Sequence, residues 1–187
     1  MKQKITSKLN RHGGFTLVEV LMSVLILAMA GGVVAGGMPA AVDAYVKVVD
    51  HANAQVFLST TMTRLRDELS TAQKVKINSE KNRIEYTNSQ GNGLYLLNSE
   101  DIDIVHPRGL YLQYPELNEA NPETGKGYFP LVSNGTAPDN LYAYVDFSNG
   151  ISFYDGILTF NNLRVIKKDE VLASAEKFEI RVLAYVP

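Results

Sequence analysis

Hydrophobic and polar positions alternate with different periods in successive stretches of the chain. From Phe15 to Val42 the only ionisable side chain is Glu19, and Val20 to Val42 is a run of 23 residues without a charge. As a helix rising roughly 1.5 Å per residue, that run is about 34 Å long, enough to cross the hydrocarbon core of a bilayer. Beyond Asp43 the apolar residues Tyr45, Val49, Ala52 and Val56, then Leu58, Met62, Leu65, Leu69 and Ala72, recur at spacings of three or four with one slip. Lys47, Asp50, Arg64, Arg66, Asp67, Glu68 and Lys74 fill much of the other face. The spacing predicts one helix from about Phe15 to about Gln73, apolar all round over 15–42 and amphipathic over 43–73. Gly31-Gly32, Gly36, Gly37 and Pro39 interrupt it. Glycine loosens a helix, and proline removes a donor and crowds the preceding turn, so a kink or local unwinding is expected near Gly36, Gly37 and Pro39.

From Val75 the period shortens to two. Strands are expected at Val75–Ile77, Arg83–Thr87, Gly93–Leu97, Gly109–Tyr114, Leu141–Phe147, Gly150–Tyr154, Ile157–Phe160, Leu163–Lys167 and Lys177–Tyr185. Asn149-Gly150 carries the composition of a tight hairpin turn, and Gln90-Gly91-Asn92-Gly93 that of a looser one. The segment 115–140, rich in Pro, Asn and Gly, reads as a long surface loop. A helix followed by hairpin-linked strands predicts an α+β fold in which the amphipathic half-helix lies on an antiparallel sheet, with 75–187 as the β-rich region.

Composition removes several functions. With 18 basic and 20 acidic residues the chain lacks the basic footprint of a dedicated nucleic-acid binder, so no specific nucleic acid is expected. It contains no cysteine, which removes disulfides, thiolate metal sites and a cysteine nucleophile. His12, His51 and His106 are far apart, no HExxH, G-x-S-x-G or Walker A sequence occurs, and no catalytic residue, metal site or cofactor is expected. Glu100, Asp101 and Asp103, and the oxygen-rich run Asn118, Glu119, Asn121 and Glu123, lack the spacing of a calcium loop and read as solvated acidic loops. Tyr111 and Tyr114 beside Arg108, and Tyr142 with Tyr144, are candidates to present aromatics to a ligand; alternating aromatics in strands more often pack the sheet.

The N-terminus is more specific. Lys2, Lys4, Lys8 and Arg11 form a basic, acid-free flank that ends in Gly13-Gly14 before the apolar run. The sequence GGFTLVEVLMSVLIL, Gly13 to Leu27, resembles the N-terminal signature of type IV pilins and of the pseudopilins of type II secretion. The resemblance covers about the first 40 residues. It implies a leader, 1–14, removed by prepilin peptidase after Gly14, and N-methylation of the new terminal residue, Phe15. It further implies a transmembrane and filament-core helix, 15–42, and an extracytoplasmic pilin-like domain, 43–187. Glu19 falls where the family carries its acid, and the resemblance assigns it to assembly, paired with the Phe15 amine of a neighbouring subunit. A carboxylate in an apolar membrane helix is costly without a partner, which agrees with that role. Family pilins often carry a helix-breaking proline in this half; Pro39 lies later than its usual position, with Gly36 and Gly37 in its neighbourhood.

The partners implied are prepilin peptidase, other pilin or pseudopilin subunits, the membrane and an inner-membrane assembly platform. The location implied is the bacterial cytoplasmic membrane, single-pass, and a pilus or pseudopilus after assembly. Without cysteine the chain resembles the cysteine-free members of the family, including many pseudopilins, and the length of its β-rich part points to a minor subunit, structural and non-enzymatic. The competing reading is an ordinary secretory signal with Ala28-Met29-Ala30 as its cleavage site, or a plain single-pass anchor, either one delivering a binding protein. Glu19 inside the apolar segment, and the apolar run beyond Ala30, count against the signal peptide.

Overall fold

The computed structural model describes residues 14–98, 107–114, 127–132 and 141–184. The leader up to Gly13, the acidic residues Glu100, Asp101 and Asp103, His106, the run 118–123 and Tyr185 lie outside the described residues. The chain divides into two compact units, Met1–Val46 and Lys47–Pro187.

One helix, α1 (Leu17–Ser70), supplies the described regular structure of the first unit and opens the second. It remains helical through Gly36, Gly37 and Pro39, so the local unwinding considered for that stretch does not occur. Its end falls at Ser70, before the expected Gln73, because Gln73 already pairs with Thr87 as a strand residue. The carbonyl of half-buried Ser70 accepts the backbone N–H of Leu183 at 2.8 Å, tying that end to the segment just after the last strand.

Among the described residues nine strands follow: β1 (Gln73–Asn78), β2 (Arg83–Thr87), β3 (Gly93–Asn98), β4 (Leu110–Gln113), β5 (Tyr128–Pro130), β6 (Tyr142–Tyr144), β7 (Ile151–Tyr154), β8 (Ile157–Lys167) and β9 (Glu170–Arg181). They form two antiparallel sheets, where the sequence suggested one. The first is a meander in chain order, β1-β2-β3-β4-β5; the second is built on β8, which pairs with β6, β7 and β9. Since β9 runs along the whole of β8, β6 and β7 share its opposite edge, β7 against 157–160 and β6 against 164–166.

Several expected elements change. β5 lies within the segment read as loop, and the strands expected at 157–160 and 163–167 are one, β8. The apparent gap is Asn161-Asn162, where Asn162 adopts a positive φ of 59° and the inward-facing set shifts from Leu158 and Phe160 to Leu163 and Val165. β9 starts at Glu170 rather than Lys177 and ends at Arg181. Its early start follows from Lys168 and Asp169, both at positive φ (49° and 66°), which form a two-residue turn between paired Lys167 and Glu170. Asp155 and Gly156 do the same between β7 and β8.

Asn149-Gly150, by contrast, makes no hairpin: β6 and β7 pair with β8 and not with each other. The Asp146 carboxylate accepts the N–H of Ser148 at 2.9 Å, and its carbonyl accepts that of Gly150 at 2.7 Å, so the chain is turned by Asp146 instead. Glycine is required there by close approach, since a Cβ on Gly150 would sit 2.5 Å from the Asp146 carbonyl oxygen. The turn at Gln90–Gly93 does join β2 to β3, with Gly91 at φ 89° and Asn88 Oδ1 accepting two backbone N–H groups.

The core of the second unit draws on α1 and both sheets: Ala54, Phe57, Leu58, Leu65 and Leu69 meet Ile84, Leu94 and Leu96 from the first sheet and Leu158, Phe160, Val165 and Ile180 from the second. The stripe on α1 differs in phase from the expected one in its first part. Tyr45, Ala52 and Val56 are exposed, and Ala54 and Phe57 take the inward positions. From Leu58 onward Leu65, Leu69 and Ala72 are buried and Met62 is half-buried, as the spacing predicts.

Candidate functional site

The N-terminal segment is where sequence concentrates chemistry. Gly14, Phe15 and Thr16 precede α1 in irregular, exposed conformation. Thr16 caps the helix: its Oγ1 accepts the N–H of Glu19 at 3.2 Å, and its carbonyl accepts those of Glu19 and Val20 at 3.0 and 3.1 Å. The spacing Thr16-x-x-Glu19 is a helix-start signal that the periodicity reading passed over, and it explains why the helix begins at Leu17. Glu19 lies in the first turn, where the unsatisfied N–H groups favour an anionic side chain. Ser23 donates to the Glu19 carbonyl at 2.7 Å.

Nothing within the described chain covers this segment. Phe15 is 78% exposed, and Leu17, Leu21, Leu25, Leu27 and Met29 are likewise open on successive faces of the helix. The helix is long and apolar enough to cross a membrane. At Gly31, Gly32, Gly36 and Gly37 an added Cβ would meet nothing within 4 Å, so no contact inside the described chain demands glycine at these positions.

The β-rich unit offers polar surfaces of a different kind. Across the outer face of the first sheet Lys76, Glu85, Tyr95, Gln113 and Tyr128 stand in register, one per strand. The Arg83 guanidinium lies 3.7 Å from the Tyr95 ring centroid and donates through Nε and Nη2 to Glu85 Oε1 at 2.9 and 2.8 Å. That hydrogen bond is the main reason the Glu85 carboxyl is held below its ordinary value; partial burial opposes the shift, and the Asn78 amide adds to it. Arg108, just before β4, donates to the Tyr142 hydroxyl of the second sheet at 3.2 Å and to Asp169 at 2.9 Å, and Arg164 lies 5.4 Å from the Tyr144 ring.

The candidate aromatics are therefore spent on packing. Tyr111 is buried and donates to the Pro107 carbonyl at 2.9 Å, Tyr114 stacks edge-on with Phe129, and Tyr142 is buried. His51 sits exposed on α1 with Nδ1 2.9 Å from the Lys47 carbonyl. Among the described residues no three His, Asp or Glu side chains gather as metal ligands.

Residues 9–35 match the family model described as the prokaryotic N-terminal methylation motif. The matched stretch contains Gly14, Phe15 and Glu19, and it supports the type IV pilin and pseudopilin family for this chain. No curated protein and no solved structure matches the chain.

Proposed function

We propose that the chain is a minor, structural subunit of a type IV pilus or type II secretion pseudopilus, stored in the membrane through the first part of α1 and assembled through that same helix. The observation that carries the reading is the methylation motif placed at the start of a helix whose apolar side chains have no cover in the described chain. Prepilin peptidase removes 1–14, Phe15 becomes the methylated terminus, and 43–187 folds outside the cytoplasm. In the filament the Phe15 amine of one subunit pairs with Glu19 of the next. Their attraction grows as helix packing excludes water, and it fixes the stagger between neighbours. Gly36, Gly37 and Pro39 bend the helix, since Pro39 cannot donate to the preceding turn. Val48, Ala52 and Val56, exposed on the soluble half, carry the helix-packing face beyond the membrane.

Intact-mass analysis of protein extracted from membranes tests the proposal. Residues 15–187 with one added methyl group is the expected species. A terminus at Gly31 establishes an ordinary signal peptide, and an unprocessed chain establishes a plain anchor; either one overturns the assignment.

A further inference from the structure

We propose that the ion pair between Asp50 and Lys167 is a latch that fixes where α1 leaves the β-rich domain, with Asp50 as the positioning residue. From Gly14 to Val48 every residue is exposed; Val49 and Asp50 are the first to be partly covered, and the first buried apolar side chain is Ala54, followed by Phe57 and Leu58. The turn that begins at Asp50 therefore has no buried apolar anchor of its own. What holds it is polar: Lys167 Nζ donates to Asp50 Oδ1 at 2.8 Å, with side chains only 12% and 23% exposed.

The cation is set on a rigid support. Lys167 is the last residue of β8, paired with Glu170 across the two-residue turn Lys168-Asp169. Its side chain is largely covered, and its ammonium reaches the helix. At the other end of the domain α1 is tied differently, by the Tyr86 hydroxyl donating to Glu68 at 2.9 Å and by Leu183 N–H on the Ser70 carbonyl. The latch grips the second sheet near the exit of the helix, and the Glu68 tie grips the first sheet near its end. Opening the latch frees the helix from Asp50 to Ala54, about 6 Å at ~1.5 Å per residue, without disturbing the apolar contacts below it. The bearing on assembly rests on the proposed function, where the length of free helix sets how deeply a subunit enters the filament. The latch itself is tested on unassembled protein, so the two ideas fail separately.

The experiment is hydrogen exchange read by mass spectrometry on the full chain in detergent. Asp50→Asn keeps the size and removes the charge. It is expected to speed exchange in peptides covering 50–56 by roughly 10- to 100-fold, the range of one charge-assisted hydrogen bond, while peptides over 61–70 keep their protection. Asp50→Glu, which retains the charge, is expected to restore most of it. Unchanged exchange over 50–56 overturns the latch. Equal acceleration through 61–70 and the strands overturns it in favour of a general stabilising role, and so does Asp50→Glu exchanging as fast as Asp50→Asn.

Discussion

Up to Val48 α1 presents Leu, Ile, Val and Met to every side, whereas from Ala54 to Leu69 the same kinds of side chain are buried on one face and Arg64, Arg66 and Asp67 lie exposed on others. The two halves share a backbone and differ in who supplies the partner. In the second half the partner is this chain's own pair of sheets; in the first it must come from a membrane or another molecule. Substitutions in the two halves should therefore fail in different assays.

The largest effect expected on the second half is loss of the domain. Leu69 is fully buried, and Leu69→Asp places a charge against the sheets at a cost of several kcal/mol, against a typical domain stability of about 5–15 kcal/mol. Circular dichroism and thermal melting of the full chain in detergent should show the β-rich part unfolded, while Leu25→Ala leaves it folded. A cooperative melt retained by Leu69→Asp breaks the comparison. Next in size is Glu19→Ala, which should leave the domain folded and the helix in the membrane and yet, on the proposed pairing of Glu19 with the Phe15 amine of a neighbour, abolish incorporation into sheared filaments. Normal incorporation of correctly cleaved protein returns Glu19 to a helix-start role beside Thr16.

Within the folded half, Gly150→Ala should cost about 1–3 kcal/mol, since the new methyl group collides with backbone and not with a movable side chain. A lowered melting temperature with unchanged membrane extraction is the expected pair of results. The smallest effects are titrations. Burial, then the neighbouring Glu68, raises the pKa of Tyr86 far above a free phenol. Its neutral form thus stabilises the fold below the unfolded value near ~10, and that contribution is lost as pH climbs above it. Tyr86→Phe should lower stability by about 1–2 kcal/mol at neutral pH and flatten the alkaline limb of the melting curve. Glu85 works in the other direction: its lowered pKa makes the ionised form stabilising above about 4.3, with the contribution lost as pH falls through the lower folded value. Arg83→Gln should flatten the acid limb by about 1–2 °C, the scale of a solvent-screened pair.

How far each part could be read from residues follows from the range of the interactions that decide it. The charge-free run and the motif at Gly14, Phe15 and Glu19 are local, and β2 is found where alternation placed it, Arg83–Thr87. The turn at Gln90–Gly93 was legible because Gly91 needs its positive φ. The turn at Lys168-Asp169 was not, since two residues other than glycine hold left-handed conformations there only because β8 and β9 zip on either side. Asn149-Gly150 misled because Asp146, a few residues upstream, captures the turn with its own side chain. The division into two sheets depends on β8 recruiting β6 and β7 together, a choice made across the chain and invisible in any short window. The phase of the α1 stripe near Val56 was ambiguous for a related reason: two apolar stripes coexist there, and the one that carries Ala54, Phe57 and Leu58 meets the sheets while Ala52 and Val56 stay exposed.

The meander of the first sheet has a kinetic consequence. Each strand after β1 pairs with the strand just before it, so by the time Pro130 has left the ribosome α1 still lacks Leu158, Phe160, Val165 and Ile180 of the second sheet, but every strand of the first has its partner. β6 and β7 emerge without one and must wait for β8, after which the tight Lys168-Asp169 turn lets β9 close within microseconds. Synthesis order thus makes the arrival of β8 the commitment step. A pause placed between Tyr154 and Lys167 would leave two short strands exposed beside a finished sheet, the form of this chain most open to misassembly.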